Sequence, residues 1–426
     1  MTLGWLSIVR LGFVQMALGA IVVLTTSTLN RLMVVELALA AVLPGALVAL
    51  HYGIQITRPN WGFISDKGGN RTRWIIRGML ILATGGVLAA LGVVQMATSY
   101  WTGLGLSILA YALIGLGAGA AGTSVLALLA TATAPHRRAA AATITWLMMI
   151  FGIAMTAGVV GQFLDPYSPA VLIRVVSGVG LVALLITFLA TWRIERGVEA
   201  EPEPDPVPFH EGLSEVWAEP KARMFTIFVF LSMTAYFMQE LILEPYAGLV
   251  FGFTPGESTT LSGIQNGGVF LGMLTVGIAA TALRFGSLRN WVIGGCLGSA
   301  ASLCVIAILG GYAFPQTLLP AVFALGFFNG TFAVAAIGSM MALAGEGREK
   351  REGTRMGLWG AAQAIAAGFG GLTGAAAADI MRTFTFDAPA FGVVFVIEAG
   401  LFLCAAAMAL RIMEGRPVQA ELIAGE

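Results

Sequence analysis

Long apolar runs broken by short polar punctuation set the pattern of this chain. Runs of about twenty residues or more recur at 8–29, 36–57, 75–97, 103–132, 140–163, 170–192, 224–250, 260–282, 290–312, 318–343, 356–379 and 390–411. A hydrocarbon layer about 30 Å thick takes roughly 20 residues of helix to cross. The runs are too long and too evenly apolar for barrel strands, which alternate. The pattern therefore predicts twelve transmembrane helices in an all-α polytopic membrane protein.

Composition agrees. Of 426 residues, 58% are hydrophobic and 11% charged, with a mean hydropathy of +0.86. Soluble domains carry about 25% charged residues. A formal net charge of +0 leaves no electrostatic footprint for nucleic acid. Cys296, Cys304 and Cys404 lie in apolar runs without metal-ligand spacing and read as packing residues. No small-residue cleavage site follows the first run, so no cleaved signal peptide is expected.

Charge orients the helices. With the N-terminus inside, every Lys and Arg of the 23 falls at a cytoplasmic end except Arg31, Arg174 and Arg382. That asymmetry predicts an N-in, C-in topology. The longest polar stretch begins at Arg196. Its EPEPDPVP segment reads as an extended linker, and Leu213, Val216 and Trp217 suit a short helix lying on the membrane. The expected organisation is a six-helix bundle over 1–195, a cytoplasmic linker over 196–222 and a second six-helix bundle over 223–426.

A repeat supports that division. At an offset of 213 residues, Gly117 matches Gly330, Arg138 matches Arg351, Trp146 matches Trp359, Gly158 matches Gly371 and Gly161 matches Gly374. Two parallel six-helix repeats describe the major facilitator fold. The stretch GFISDKGGNR has the spacing of the facilitator loop G-x-x-x-D-R/K-x-G-R-R/K. Gly62 allows close helix approach, Asp66 and Lys67 supply charge, Gly69 allows the turn and Arg71 offers a partner charge. Asn70 departs from the usual basic residue. The second-half counterpart near Arg284 lacks the aspartate, so the inner gate is asymmetric.

Ionisable residues in hydrocarbon cost several kcal/mol unless paired or wet, so each is a functional candidate. Asn30, Arg31 and Glu36 form a polar turn between the first two runs. His51 lies well inside the second run, with Gln55 one turn on and Gln15 a possible neighbour from the first. Two readings of His51 stand: a neutral histidine bonded to another helix, or a ligand to a tetrapyrrole metal or a donor to its rim. Gln239, Glu240 and Glu244 approach the outer end of the seventh run. Glu240 and Glu244 share a face four residues apart, as close carboxylates do in proton coupling; wetting by an outer vestibule is the structural alternative. Glu244 is 213 residues from Arg31, which suggests an ion pair across the repeat; Arg31 with Glu36 is the simpler local pair. Gln265, Asn266 and Asn329 suit a cavity lining or a helix–helix bridge. Glu398 has no evident partner, and Asp379 can pair with Arg382. No nucleotide loop, diphosphate–metal motif or nucleophile with a base is present, so no enzyme activity is expected.

The strings RLGFVQMALG, STLNRLMVVEL, LPGALVALHYGIQ and EPYAG are more specific than the facilitator loop. Through them the chain resembles the PucC-like family of facilitators from phototrophic bacteria, and within it a branch of shorter chains with compact loops. The resemblance runs from the first helix to the twelfth. It implies a facilitator fold in the bacterial inner, photosynthetic membrane. It also implies a role in binding or delivering bacteriochlorophyll, or another Mg-tetrapyrrole, as cargo. The implied partners are light-harvesting apoproteins, the reaction-centre complex or pigment-synthesis enzymes, among membrane lipids. Positions carried over are Arg31, Glu36, His51, Asp66, Glu240 and Glu244. A proton-coupled transporter of a small amphipathic or anionic solute is the alternative that the carboxylates suggest.

Overall fold

The structure, a computed structural model, describes residues 3–55, 70–134, 137–195, 217–281, 283, 285–312, 314–345 and 352–413. These form twelve helices: α1 Trp5–Glu36, α2 Val42–Ile54, α3 Arg71–Met96, α4 Tyr100–Ala132, α5 Arg138–Phe163, α6 Pro169–Thr191, α7 Pro220–Phe251, α8 Pro255–Thr281, α9 Leu288–Leu309, α10 Pro315–Gly345, α11 Glu352–Arg382 and α12 Asp387–Ile412. Eleven are long and apolar enough to cross a membrane, and α2 is shorter. The all-α reading of the apolar runs therefore matches the observed elements.

Polar punctuation starts the helices where local rules place it. Pro169, Pro220, Pro255 and Pro315 open α6, α7, α8 and α10, where the missing N–H would have no partner anyway. Asn70, Ser168 and Ser287 cap α3, α6 and α9 through their side-chain oxygens. Thr254 and Glu257 cap α8 reciprocally: Glu257 Oε2 accepts from the Thr254 N–H at 2.9 Å, and Thr254 Oγ1 accepts from the Glu257 N–H at 3.2 Å.

The first two helices depart from expectation. The apolar run predicts an end at residue 29, but α1 continues through Asn30 and Arg31 to Glu36, with π-helical turns at Leu24–Thr28 and Leu32–Glu36. Asn30 and Arg31 are buried inside the helix rather than forming a polar turn. The break falls at 37–41, where Ala38 adopts a left-handed φ of 49°. α2 accordingly starts at Val42, not at 36.

The chain divides into two units: Met1–Glu203 with Leu243–Gly263, and Pro204–Ile242 with Ile264–Glu426. In the first, α3 and α4 lie so close that a Cβ on Gly117 would meet the Leu82 nitrogen at 2.4 Å and the Gly78 carbonyl at 2.7 Å. The loop between α6 and the next segment ties this unit at one end. Arg10 donates to the Trp192 carbonyl at 2.5 Å, satisfying the carboxyl end of α6. Glu195 accepts from the backbone of Arg71 (3.0 Å) and Thr72 (3.1 Å), a carboxylate at the amino end of α3. In the second unit, Trp359 is fully buried, edge-on to Phe225 at 4.9 Å, with its indole N–H on Thr226 Oγ1 at 3.1 Å. Trp146, its match in the repeat, is only half-buried. Phe228, Phe332 and Phe402 continue that core. Leu213 and Val216 of the expected surface helix lie outside the described residues, and Trp217 is exposed.

Gly117→Leu should push α3 from α4 and cost about 1–3 kcal/mol by overpacking. Gly105→Leu, on an open face of α4, should be silent. Thermal unfolding in mild detergent checks this: a lower midpoint is expected for the first variant alone, and equal midpoints would refute the packing argument.

Candidate functional site

Ser and Thr rarely occur four in a row in a helix interior, because their hydroxyls compete for the backbone. Thr25, Thr26, Ser27 and Thr28 do so in the first π-helical turn of α1, and all four are buried. Thr25 and Thr26 bond back to the Val22 carbonyl, at 2.7 and 3.4 Å. Tyr111 of α4 donates to the Thr25 carbonyl at 2.8 Å. Ser27 and Thr28 turn the other way, towards Leu243–Gly263. Ser27 Oγ donates to Glu244 Oε1 and lies 2.9 Å from Ser262 Oγ. Thr28 Oγ1 is 3.2 Å from Thr259 Oγ1. π-helical turns often accompany functional sites, and here two of them frame a buried polar seam.

Arg31 completes the seam one turn further on. Its Nη1 donates to Glu36 Oε1 at 2.5 Å, and its Nη2 donates to the Phe253 carbonyl at 2.6 Å. Arg31 is 2% exposed and Glu36 40%. Gly248 of α7 makes the room: a Cβ there would lie 2.9 Å from Val35 Cγ2 and 3.3 Å from Arg31 Nη2. Asp165 fixes the other side of this corner by accepting from Thr254 Oγ1 at 2.5 Å and the Gly256 N–H at 3.3 Å. Tyr167 lies half-buried in the same loop. Burial raises its hydroxyl pKa above the ordinary tyrosine value, the Glu36 carboxylate raises it further, and Arg31 opposes them.

Two polar positions of the seam are unused. Glu244 Oε2 and Arg31 Nε are buried without a hydrogen-bond partner among the described residues. The charge that Arg31 meets is that of Glu36, so the ion pair considered between Arg31 and Glu244 is not formed; Glu244 bonds a serine instead. Glu240, half-buried, lies one helical turn before Glu244 on α7.

The other candidates are dispersed. His51 is buried in α2, with Nε2 2.9 Å from Gln55 Nε2 and its ring edge-on to Tyr52 at 4.8 Å. Its backbone carbonyl faces Gly115 of α4. Gln15 is buried on α1. Asn329 accepts from Ser299 at 2.7 Å, joining α10 to α9, while Asn266 is half-buried on α8. Arg71 is buried, its guanidinium on Thr131 Oγ1 and the Ala127 carbonyl. Gly62, Asp66, Lys67 and Gly69 of the facilitator loop lie outside the described residues. Asp379 and Asp387 both reach Arg382, at 3.7 and 2.7 Å. Glu398 is fully buried, with neither oxygen bonded among the described residues.

Sequence reasoning missed Ser27, Ser262, Tyr167 and Glu195. For Ser27 a local signal existed in the run of four hydroxyls. For the others the partner is too remote in the chain to be read. The T-P-G-E string was a legible capping box.

The family model described as "PUCC protein" matches residues 28–416. The "Bacteriochlorophyll synthase 44.5 kDa chain" of Rhodobacter capsulatus is 67% identical over 417 residues, 98% of this chain and 97% of that protein. "Protein PucC" of Cereibacter sphaeroides is 28% identical over 429 residues, 93% and 90% of the two chains. Among solved structures, the nucleoside transporter NupG aligns with a TM-score of 0.70 at 14% identity, over 96% of this chain and 99% of its own. The peptide transporter POT aligns with a TM-score of 0.70 at 16% identity, over 96% of both chains. These likenesses identify the fold as that of the major facilitators.

The two charges beside Tyr167 act on it with opposite sign. Glu36→Gln should lower the pH at which the Tyr167 phenolate forms, and Arg31→Gln should raise it. Phenolate absorbance, taken as a difference from Tyr167→Phe, measures both; shifts of the same sign would refute the arrangement.

Proposed function

The chain belongs to the PUCC protein family, and on that premise we propose that it binds or delivers bacteriochlorophyll, or a precursor, during biogenesis of light-harvesting and photosynthetic complexes. It is a multi-pass protein of the inner membrane. The observation that carries the proposal is the 67% identity, over nearly both full lengths, with a protein named for bacteriochlorophyll. Its partners in this reading are light-harvesting apoproteins, the reaction-centre complex or pigment-synthesis enzymes. The cargo is the magnesium tetrapyrrole itself.

The reading is non-catalytic, although that relative's name contains "synthase". Family membership and a fold shared with transporters support it. His51 is the proposed contact to the pigment metal. Gln55 Nε2 donates to the imidazole Nε2 at 2.9 Å, so a metal contact at that nitrogen would take the place of this hydrogen bond. Gln15 is a further proposed contact in the first unit, and Asn266 and Asn329 are proposed ligand contacts of the second by itself. We retain the N-in, C-in orientation from the Lys/Arg asymmetry, and the division at 196–222 into two six-helix halves.

A second reading, proton-coupled transport of a small amphipathic or anionic solute, is favoured by one observation: Glu244 is buried on hydroxyls with one oxygen unbonded. Glu240 is the other proposed coupling carboxylate.

Protein extracted in mild detergent should carry a bacteriochlorin absorption spectrum, or co-purify with an antenna or pigment-synthesis protein. His51→Ala should reduce pigment occupancy severalfold. Pigment-free, partner-free protein together with an intact antenna after deletion of the gene would reject the proposal. For the second reading, uptake into proteoliposomes should follow an imposed pH gradient and vanish in Glu240→Gln or Glu244→Gln; gradient-independent uptake would reject it.

A further inference from the structure

The helix α6 closes on an arginine that its backbone does not favour. Trp192 caps the helix, and Arg193 follows it with a left-handed φ of 54°. That conformation costs energy for a residue with a Cβ, and the position just past a helix is where glycine ordinarily supplies it. Backbone strain of this kind gathers at sites that hold ligands. The Arg193 side chain is exposed, and its guanidinium stands 5.8 Å from the centre of the Trp192 ring, itself exposed. It makes no hydrogen bond or ion pair with any described residue.

A second guanidinium joins it from α1. Arg10 Nη2 donates to the Trp192 carbonyl at 2.5 Å, the carbonyl bonded to the Arg193 nitrogen. A contact of 3.5 Å to the Leu189 carbonyl uses the same Nη2, so Nε and Nη1 of Arg10 keep their donors. Both cations thus stand on Trp192, one at its carbonyl and one at its ring. The nearest acid in the sequence, Glu195, is committed elsewhere, since its two oxygens accept from the backbone of Arg71 and Thr72. No carboxylate among the described residues pairs with either arginine. Around them the surface is apolar. Leu6 and Phe13 share the Arg10 face of α1, one turn to either side, and Leu185 and Leu189 lead up to Trp192 on α6. All four are exposed, on two helices that pack against each other.

We propose that Arg10, Arg193 and Trp192 bind the headgroup of an anionic phospholipid, with an acyl chain lying along Phe13, Leu185 and Leu189. A guanidinium matches a phosphate in charge and in the planar spacing of its donors. The spare donors of Arg10 and the whole fork of Arg193 meet the phosphate. The exposed indole sits at headgroup depth, where tryptophan is enriched. Basic pockets between membrane helices hold anionic headgroups in this way. A zwitterionic headgroup brings a cation of its own, which the two arginines repel. The orientation retained above places this end of the first unit in the cytoplasmic leaflet, the leaflet whose anionic lipids give it a negative surface potential. The site stands apart from the pigment reading and does not depend on it.

Purified protein in mild detergent is titrated with phosphatidylglycerol carrying brominated acyl chains, and separately with phosphatidylcholine of the same chains. Bromine quenches a nearby indole, and the difference from Trp192→Phe isolates the Trp192 signal. The unaltered protein should bind the anionic lipid at least about tenfold more tightly, since each basic residue near a membrane surface contributes about a fivefold gain. Arg193→Gln and Arg10→Gln should each lower that preference about fivefold. Should Arg10→Gln fail to fold, Arg193→Gly decides, because glycine removes the backbone strain together with the cation. In lipid-free detergent it should unfold at the same temperature as the unaltered protein or higher, and still lose most of the preference. Arg174→Gln, an exposed arginine at the opposite end of α6, should leave the preference unchanged. Equal binding of the two lipids, an Arg193→Gly variant that keeps its preference, or an equal loss in Arg174→Gln overturns the proposal. Inorganic phosphate at the same concentration should not compete; if it does, the acyl chain plays no part and a phospholipid is not the occupant.

Discussion

Arg31 is a full charge buried on a membrane helix, and much of the first unit follows from that fact. Burying an unpartnered guanidinium in a membrane helix carries an insertion cost of several kcal/mol. Hydrogen bonds to a charged group contribute about 1.5–3 kcal/mol each. The bonds to Glu36 and to the Phe253 carbonyl together offset the insertion cost. Neither partner is optional. Glu36 is available only because α1 continues for five residues past Arg31, and the Phe253 carbonyl only because Leu243–Gly263 packs within the same unit. Gly248 leaves room for that segment against α1, and Asp165 ties its Thr254 to the loop after α5.

The same constraint separates what could be read in the sequence from what could not. Helix number and approximate position follow from the length of apolar runs, because a hydrocarbon layer imposes that length on every helix alike. Caps such as Thr254 with Glu257 are local and legible. The end of α1 was misread because Asn30 and Arg31 look like a turn when their partners are unknown; one of them, Phe253, is over two hundred residues away. Glu195 is illegible for the same reason, since nothing near it in sequence announces the amino end of α3. The pairing of Arg31 with Glu244 had only the repeat offset behind it. Offset gives equivalent positions in two halves, but it does not say which side chain a buried carboxylate meets, and the nearer hydroxyl of Ser27 meets it first.

Polar groups elsewhere in the membrane-spanning helices are handled in two ways. Asn329 with Ser299, and Trp359 with Thr226, bridge one helix to another, which is the ordinary use of polar side chains in a bundle. Glu398 has no such bridge among the described residues. It is a reminder that burial alone does not identify a site. What distinguishes the seam along α1 is the convergence of several polar side chains from three stretches of chain.

Why Arg31 and Glu244 bond different partners is then a question with a chemical answer. Had Arg31 and Glu244 paired with each other, each would have neutralised the other, and neither would retain a position for anything else. Instead Glu244 bonds a serine and keeps Oε2, while Arg31 bonds a rim carboxylate and keeps Nε. The fold cannot account for this choice, since it is shared with proteins of 14% and 16% identity that are named for nucleoside and peptide transport. A facilitator frame fixes where helices cross, and function lies in the few side chains grafted onto those crossings. In this chain the graft includes a buried arginine whose counter-ion, Glu36, is the partly exposed last residue of α1.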